Sequence, residues 1–257
     1  MKFDRTIRPE SQLAKKFELP SIESFTLGNG LQVFCTKKAK LPIIKMNLII
    51  PAGSRFDAYG HEGLAYLTSL VIDEGAGKYS ALQLANEIDK LGSSIDISTS
   101  VDYIFISLTS LTEHFERTLE LFSLILKEPL LNSESFEREK KKHITKILQS
   151  FDDASYIGAN AFQRNIFKGT PYDKPLLGFS SSVEAFNLTL VKDFHSTFFH
   201  SPETKLVVAG DIDNDNLSAL LDKHLGDYKL NKSAKDREIT NKYKPAKLFG
   251  INKECAA

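Results

Sequence analysis

The 257-residue sequence has no tryptophan and only two cysteines, Cys35 and Cys255. Two cysteines so far apart permit one disulfide at most, so no disulfide framework is implied and the redox compartment stays open. No run approaches the ~18 apolar residues that span a bilayer, so membrane insertion is not expected. The opening stretch MKFDRTIRPESQLAKKFELP lacks the apolar segment of a secretory signal. Cytoplasm and periplasm both remain open as compartments, the second if an export signal lies elsewhere. An excess of charge is also missing, because 33 Lys plus Arg balance 33 Asp plus Glu. With no global positive field there is no electrostatic footprint for nucleic acid or an anionic membrane surface. No GxSxG elbow, P-loop or GxGxxG run is present.

What is present is an ordinary globular composition, 42% hydrophobic and 26% charged. FTLGNGLQVFCTKK (25–38) places Asn-Gly between two strand-like runs, a hairpin signal. PIIKMNLIIPAGSR (42–55) reads as a third strand. Leu64, Leu67, Leu70 and Val71 recur at helical spacing within 62–74. Ser80 is a plausible cap for a helix that Gly92 stops. SSIDISTSVDYIFISLTSL (93–111) alternates as two strands joined near Val101 and Asp102. Helices follow over 112–129, capped by a threonine, and over 132–153, with Phe136, Ile144, Ile147 and Phe151 on one side and a dense charged, solvated face. Two more are read over 154–169 and 181–200. A strand at 203–213 and a closing helix over 214–228 complete the unit. Strands and helices cluster rather than alternate. That order predicts an α+β sandwich, with a largely antiparallel sheet and helices packed on one face.

The head of the first helix, GHEGLAYLTSLVIDEG (60–75), carries a His-Glu pair. A zinc site on one helix needs ligands one turn apart on a shared face. Ala65 stands where HExxH needs its second histidine, and Leu64 excludes HxxEH from the same start. His195 and His200 are five apart, a spacing that splays them on a helix. The six histidines therefore read as surface or helix-end residues rather than ligands.

Several segments, in order, resemble one family. FTLGNGLQVFCTKKAKLPIIKMNLIIPAGSRFD, EGLAYLTSLVIDEGAGKYSALQLANEIDKLGSSID, FEREKKKHITKILQSFDD, PYDKPLLG and LVVAGDID look like the first domain of pitrilysin/insulinase-type peptidases. That family includes the mitochondrial processing peptidase and the core proteins of the respiratory cytochrome complex. The resemblance spans roughly residues 22–228 and implies that family's α/β sandwich. It also implies a catalytic helix reading G-L-A-H-x-x-E-H. Set on Gly63-Leu64-Ala65, its zinc histidines fall on Tyr66 and Leu70 and its general base on Ser69. The third ligand, a Glu seven residues after another Glu, falls on Lys146, and the earlier Glu is retained as Glu139. None of the four replacements rebuilds a zinc site with an open position. The resemblance thus implies no metal, no cofactor and no catalytic residues in this chain. Zinc is expected only in a metal-bearing homologous module, a separate subunit or a fused half. Lys146 is expected to point at Tyr66 and Ser69, paired with Glu139 or the Tyr66 hydroxyl.

In active relatives the peptide adds as a strand to a sheet edge. The matching stretch is Ser93, Ser94, Ile95, Asp96, Ile97 and Ser98. The same residues suit an ordinary edge blunted by Asp96 and Ser98. The domain reading is an extended lead-in at 1–21, a peptidase-like domain at 22–228, a polar linker at 229–246 and the start of a second homologous domain at 247–257. The function implied is a non-catalytic module that completes the peptide chamber of a zinc-bearing partner. The alternatives are a structural subunit like the respiratory core proteins, or a zinc endopeptidase with unrecognised ligands.

Overall fold

The computed structural model describes residues 20–230. The expectations for 1–19, most of the linker and the 247–257 strand lie outside that range. The strands are β1 (Glu23–Thr26), β2 (Gln32–Lys37), β3 (Ile43–Ile50), β4 (Gly75–Ala76), β5 (Tyr79–Ser80), β6 (Ser94–Thr99), β7 (Ile104–Leu111) and β8 (Lys205–Gly210). The helices are α1 (Leu64–Val71), α2 (Ala81–Lys90), α3 (Phe115–Lys127), α4 (Ser133–Ser150), α5 (Ala154–Ile166), α6 (Ser180–Glu184), α7 (Leu188–Phe198) and α8 (Asn214–Leu225). None of them is long and apolar enough to cross a membrane.

Six strands form one sheet in the order β1-β2-β8-β3-β7-β6. Alternation in β3 sets its faces. Ile44, Met46, Leu48 and Ile50 are fully buried, while Lys45 is exposed and Asn47 half-buried. Each fully buried aliphatic side chain contributes about 1.5–3 kcal/mol. Helices cover the apolar face, and the expected α+β sandwich holds. The sheet is antiparallel except where β8 runs parallel to β2. The β1–β2 hairpin forms around Asn29-Gly30, and Asn29 Nδ2 donates to the carbonyls of Leu225 and Tyr228 at 2.8 Å each. The turn residue thereby fastens the end of α8 to the sheet. Ser80 caps α2 in a reciprocal box with Gln83.

Three helical expectations are corrected, and a fourth helix forms as expected. The 181–200 segment is two helices, because the Asn187 side chain accepts from the Leu190 N–H and starts α7 afresh. The 112–129 segment begins as a 3-10 turn over Thr112–His114 with no side-chain cap, and Thr112 Oγ1 instead donates to the Asp211 carbonyl at 3.4 Å. Phe151 is exposed beyond α4 rather than part of its core side. α5 forms within 154–169 but fully buries no side chain.

One close approach positions α1. Gly178, at φ +71°, passes so near the chain before α1 that a Cβ there would lie 1.9 Å from the Glu62 carbonyl oxygen. Gly63 meets the same loop, its own would-be Cβ 2.5 Å from the Leu177 carbonyl oxygen. Both neighbours are backbone, so neither can rotate aside. We expect Gly178→Ala to lower the unfolding free energy by roughly 2–4 kcal/mol, from clash and positive φ together. Urea denaturation checks this, and a loss below about 0.5 kcal/mol would mean the two segments separate freely.

Candidate functional site

Asp57 sets the start of α1. Its carboxylate accepts from the N–H groups of Gly63 and Ala65, both at 2.8 Å. These are donors that the first turn of a helix leaves without internal partners. Burial pushes Asp57 up to about 7; the two N–H bonds oppose that rise and the charge of Glu62 adds to it. The sequence gives little sign of this cap, since Asp57 lies six residues before Gly63.

The His-Glu pair that opens the segment plays a packing role. His61 meets the Phe186 ring edge-on at 6.0 Å between centroids. Glu62 is buried and accepts from Ser182 Oγ at 3.3 Å.

Beyond this cap α1 packs against α4, α7 and β6. Lys146 of α4 reaches α1, its Nζ 2.6 Å from Tyr66 Oη and 5.1 Å from the centre of the ring. Glu139 is not its partner. That carboxylate sits 2.7 Å from Lys142 Nζ and 3.2 Å from Arg138 Nε, and Arg138 also pairs with Glu74. Nor is the ammonium buried: Lys146 is exposed, so the desolvation cost of an interior charge does not arise. Ser69 is buried, and its hydroxyl is spent on the Tyr66 carbonyl at 2.7 Å. Leu70 is half-buried and has no donor atom.

Beneath Tyr66 lies His143, fully buried, with its ring 4.8 Å from the Tyr66 ring. Its Nε2 meets the Leu177 carbonyl at 2.8 Å, while Nδ1 has no partner. Nε2 therefore carries the proton and donates. Burial pushes His143 down to about 4; the bond to Leu177 opposes the shift and the charge of Lys146 adds to it. The surface or helix-end reading of the histidines fails here, and again at His195, which is buried and pushed down to about 4. A histidine inside the charged run KKKHITK gives no local sign of burial. Its spacing from Phe136 and Ile147 on the same helix does, since seven and four residues bring it onto their face.

Tyr66, Ser69, Leu70 and Lys146 do not fit a zinc ion. An ammonium occupies the space beside the phenol, and the hydroxyl of Ser69 is turned into its own helix. Among the described residues no group of three or more His, Cys, Asp and Glu is placed to hold a metal.

Among the described residues β6 ends the sheet, pairing only with β7. Ser94, Asp96 and Ser98 are exposed, and Ile95 and Ile97 are half-buried. Ser93 does not belong to the strand: its hydroxyl is interior, 3.0 Å from Ser110 Oγ and 2.9 Å from Thr118 Oγ1. At the start of β6 a recess of about 210 Å³ is lined by Asp73, Leu84, Ile88, Asp89, Ser94 and Ile95, among others. That volume suits one side chain rather than a drug-sized ligand.

Comparison with known proteins places this architecture. The family model described as Insulinase (Peptidase family M16) matches residues 33–179, more than half of the chain, and the chain belongs to that family. A second model, described as Peptidase M16 inactive domain, matches residues 185–253. An uncharacterized zinc protease of Rickettsia felis is 25% identical over 226 residues, 88% of this chain and 53% of that protein. Human cytochrome b-c1 complex subunit 1 is 22% identical, over 81% of this chain and 43% of its own length. The bovine mitochondrial-processing peptidase subunit beta is also 22% identical, over 81% and 42%. The chain thus spans about half the length of these relatives. Among solved structures, the peptidase M16 inactive domain from Pseudomonas fluorescens superposes with a TM-score of 0.80 at 20% identity, covering 86% of this chain and 54% of that one.

Neutral, buried His143 makes a pH prediction. A histidine held at about 4 against an ordinary value of about 6.5 supports the fold fully above the higher value and loses that support as pH falls toward the lower one. His143→Gln removes this dependence. We expect its stability deficit relative to wild type to shrink by about 2 kcal/mol between pH 7 and pH 5. Urea unfolding at the two pH values measures it, and a constant deficit would mean that His143 takes up its proton in the folded protein as readily as in the unfolded chain.

Proposed function

We propose that this chain is a non-catalytic module of the M16 family. It lends a sheet edge to a peptide that is hydrolysed at the zinc of a homologous, metal-bearing partner. The observation that carries the reading is Lys146 Nζ lying 2.6 Å from Tyr66 Oη. A cation standing between α1 and α4 repels a second cation, and the one imidazole beside it, His143, is joined by no group of three or more His, Cys, Asp and Glu among the described residues. A water-activating centre has no foundation there.

What the chain keeps is backbone. Among the described residues β6 has an open edge, with half-buried Ile95 and Ile97 beside it and a side-chain-sized recess at its start. An added strand would gain main-chain hydrogen bonds with little demand on sequence, and one side chain could anchor in the recess. Asp96 and Ser98 make this edge polar enough to resist indiscriminate pairing. The partner would be a separate subunit or a fused half, and the peptide's identity would be set jointly with it.

The test is co-purification of the full-length protein from its native host, followed by a peptidase assay with and without the co-purifying partner. We expect no cleavage by this chain alone, cleavage by the zinc-bearing partner, and at least a tenfold gain in kcat/KM for the assembled pair (about 1.4 kcal/mol). Assembly with no gain in activity would favour a structural subunit. Cleavage by this chain alone would overturn the reading.

A further inference from the structure

We propose that the Lys146–Tyr66 pair is itself a binding site, and that its ligand is a carboxylate carried by a peptide lying along β6. The inference rests on the edge-strand reading above for the peptide and on the side-chain geometry for the carboxylate.

Apart from Lys141, which is exposed, the positive charge on this stretch of α4 is otherwise matched or directed elsewhere. Lys142 and Arg138 pair with Glu139, and Arg138 also pairs with Glu74. Lys140 donates to the Phe186 carbonyl at 2.8 Å. Lys146 has no carboxylate partner among the described residues; its partner is a neutral phenol. By donating one N–H to Tyr66 Oη, the ammonium keeps two further donors. Accepting that bond leaves the phenol free to donate its own O–H. Two side chains from two helices therefore present convergent donors and one net charge, with no anion among the described residues to satisfy them. His143 below adds no charge in its neutral form.

The place is as informative as the chemistry. α1 lies against β6, and Tyr66 packs on the same core as Ile95 and Ile97. Just past the other end of α1, Asp73 shares the recess with Ser94 and Ile95. Tyr66 is seven residues before Asp73, about 10 Å of helical rise, which is the span of about three residues of an added strand. A peptide with one side chain in the recess would bring a group about three residues away to the Lys146–Tyr66 pair. A chain terminus and an Asp or Glu side chain offer the same carboxylate chemistry, and the test separates them.

The full-length chain is titrated calorimetrically with three peptides of one neutral, alternating Val-Thr sequence. One ends in an amide, one in a free acid, and one is amidated with an internal Glu. We expect the amide to bind weakly and at least one carboxylate form to bind about tenfold more tightly, as a charge-assisted hydrogen bond allows. Whichever form gains identifies the source of the carboxylate. Lys146→Met should reduce that form to the affinity of the amide, and Tyr66→Phe should remove part of the gain. Equal binding of all three peptides, or a preference that survives Lys146→Met, would overturn the proposal. A second readout does not depend on the edge: sodium acetate titrated at fixed ionic strength, followed through the Tyr66 ring resonances. Saturable shifts in wild type, absent in Lys146→Met, are expected. Such shifts without any peptide binding would retire the edge reading and keep the carboxylate site; absence of the shifts in wild type would retire the site.

Discussion

The contact on which the rest depends is the backbone approach of Gly178 to the chain at Glu62 and Gly63, where a single methyl group has no room. It pins the loop after α5 to the start of α1. From that loop the Leu177 carbonyl reaches His143 in α4. Asp57 gathers the first N–H groups of α1 from the other side. The spacing between α1 and α4 is therefore set by backbone and buried polar groups, not by the side chains that face each other across the seam. Residues on that seam can change chemically while the helices keep their places.

That separation of scaffold from chemistry explains how an M16 family member can hold an ammonium against a phenol where α1 meets α4. The pairing costs little. Lys146 is exposed, so its charge stays hydrated; Tyr66 packs its ring against His143 and takes one hydrogen bond from the ammonium. Had Lys146 been driven into the interior without a carboxylate, the penalty would have been several kcal/mol. The edge strand beside the seam does not depend on the pair, because its pairing with β7 is a matter of main chain.

The sequence made much of this legible where the signal is local. The alternation in β3, the Asn-Gly hairpin and the Ser80 cap are each written within a few residues and appear where expected. Family resemblance went further and drew attention to Tyr66 and Lys146, eighty residues apart in sequence and in contact in the structure. What stayed hidden is non-local. The insertion of β8 between β2 and β3 depends on a pairing across more than 150 residues, and no short-range pattern encodes it. The break at Asn187 is a capping event inside an apolar run that otherwise reads as one helix. Asp57 caps a helix from six residues upstream of its N-cap glycine. His143 hides in a lysine-rich run because only its position relative to Phe136 and Ile147, not its neighbours, reveals that it faces inward.

The most direct measurement of the central claim is zinc stoichiometry by equilibrium dialysis. It compares the wild-type chain with a variant carrying Tyr66→His, Ser69→Glu, Leu70→His and Lys146→Glu together. If the scaffold is intact and only the donor set is gone, the variant should bind zinc stoichiometrically and with a high affinity that weakens as pH falls, since its histidines must be neutral to ligate. The wild-type chain should bind none. Stoichiometric zinc on the wild-type chain, held by side chains of α1 and α4, would contradict the account.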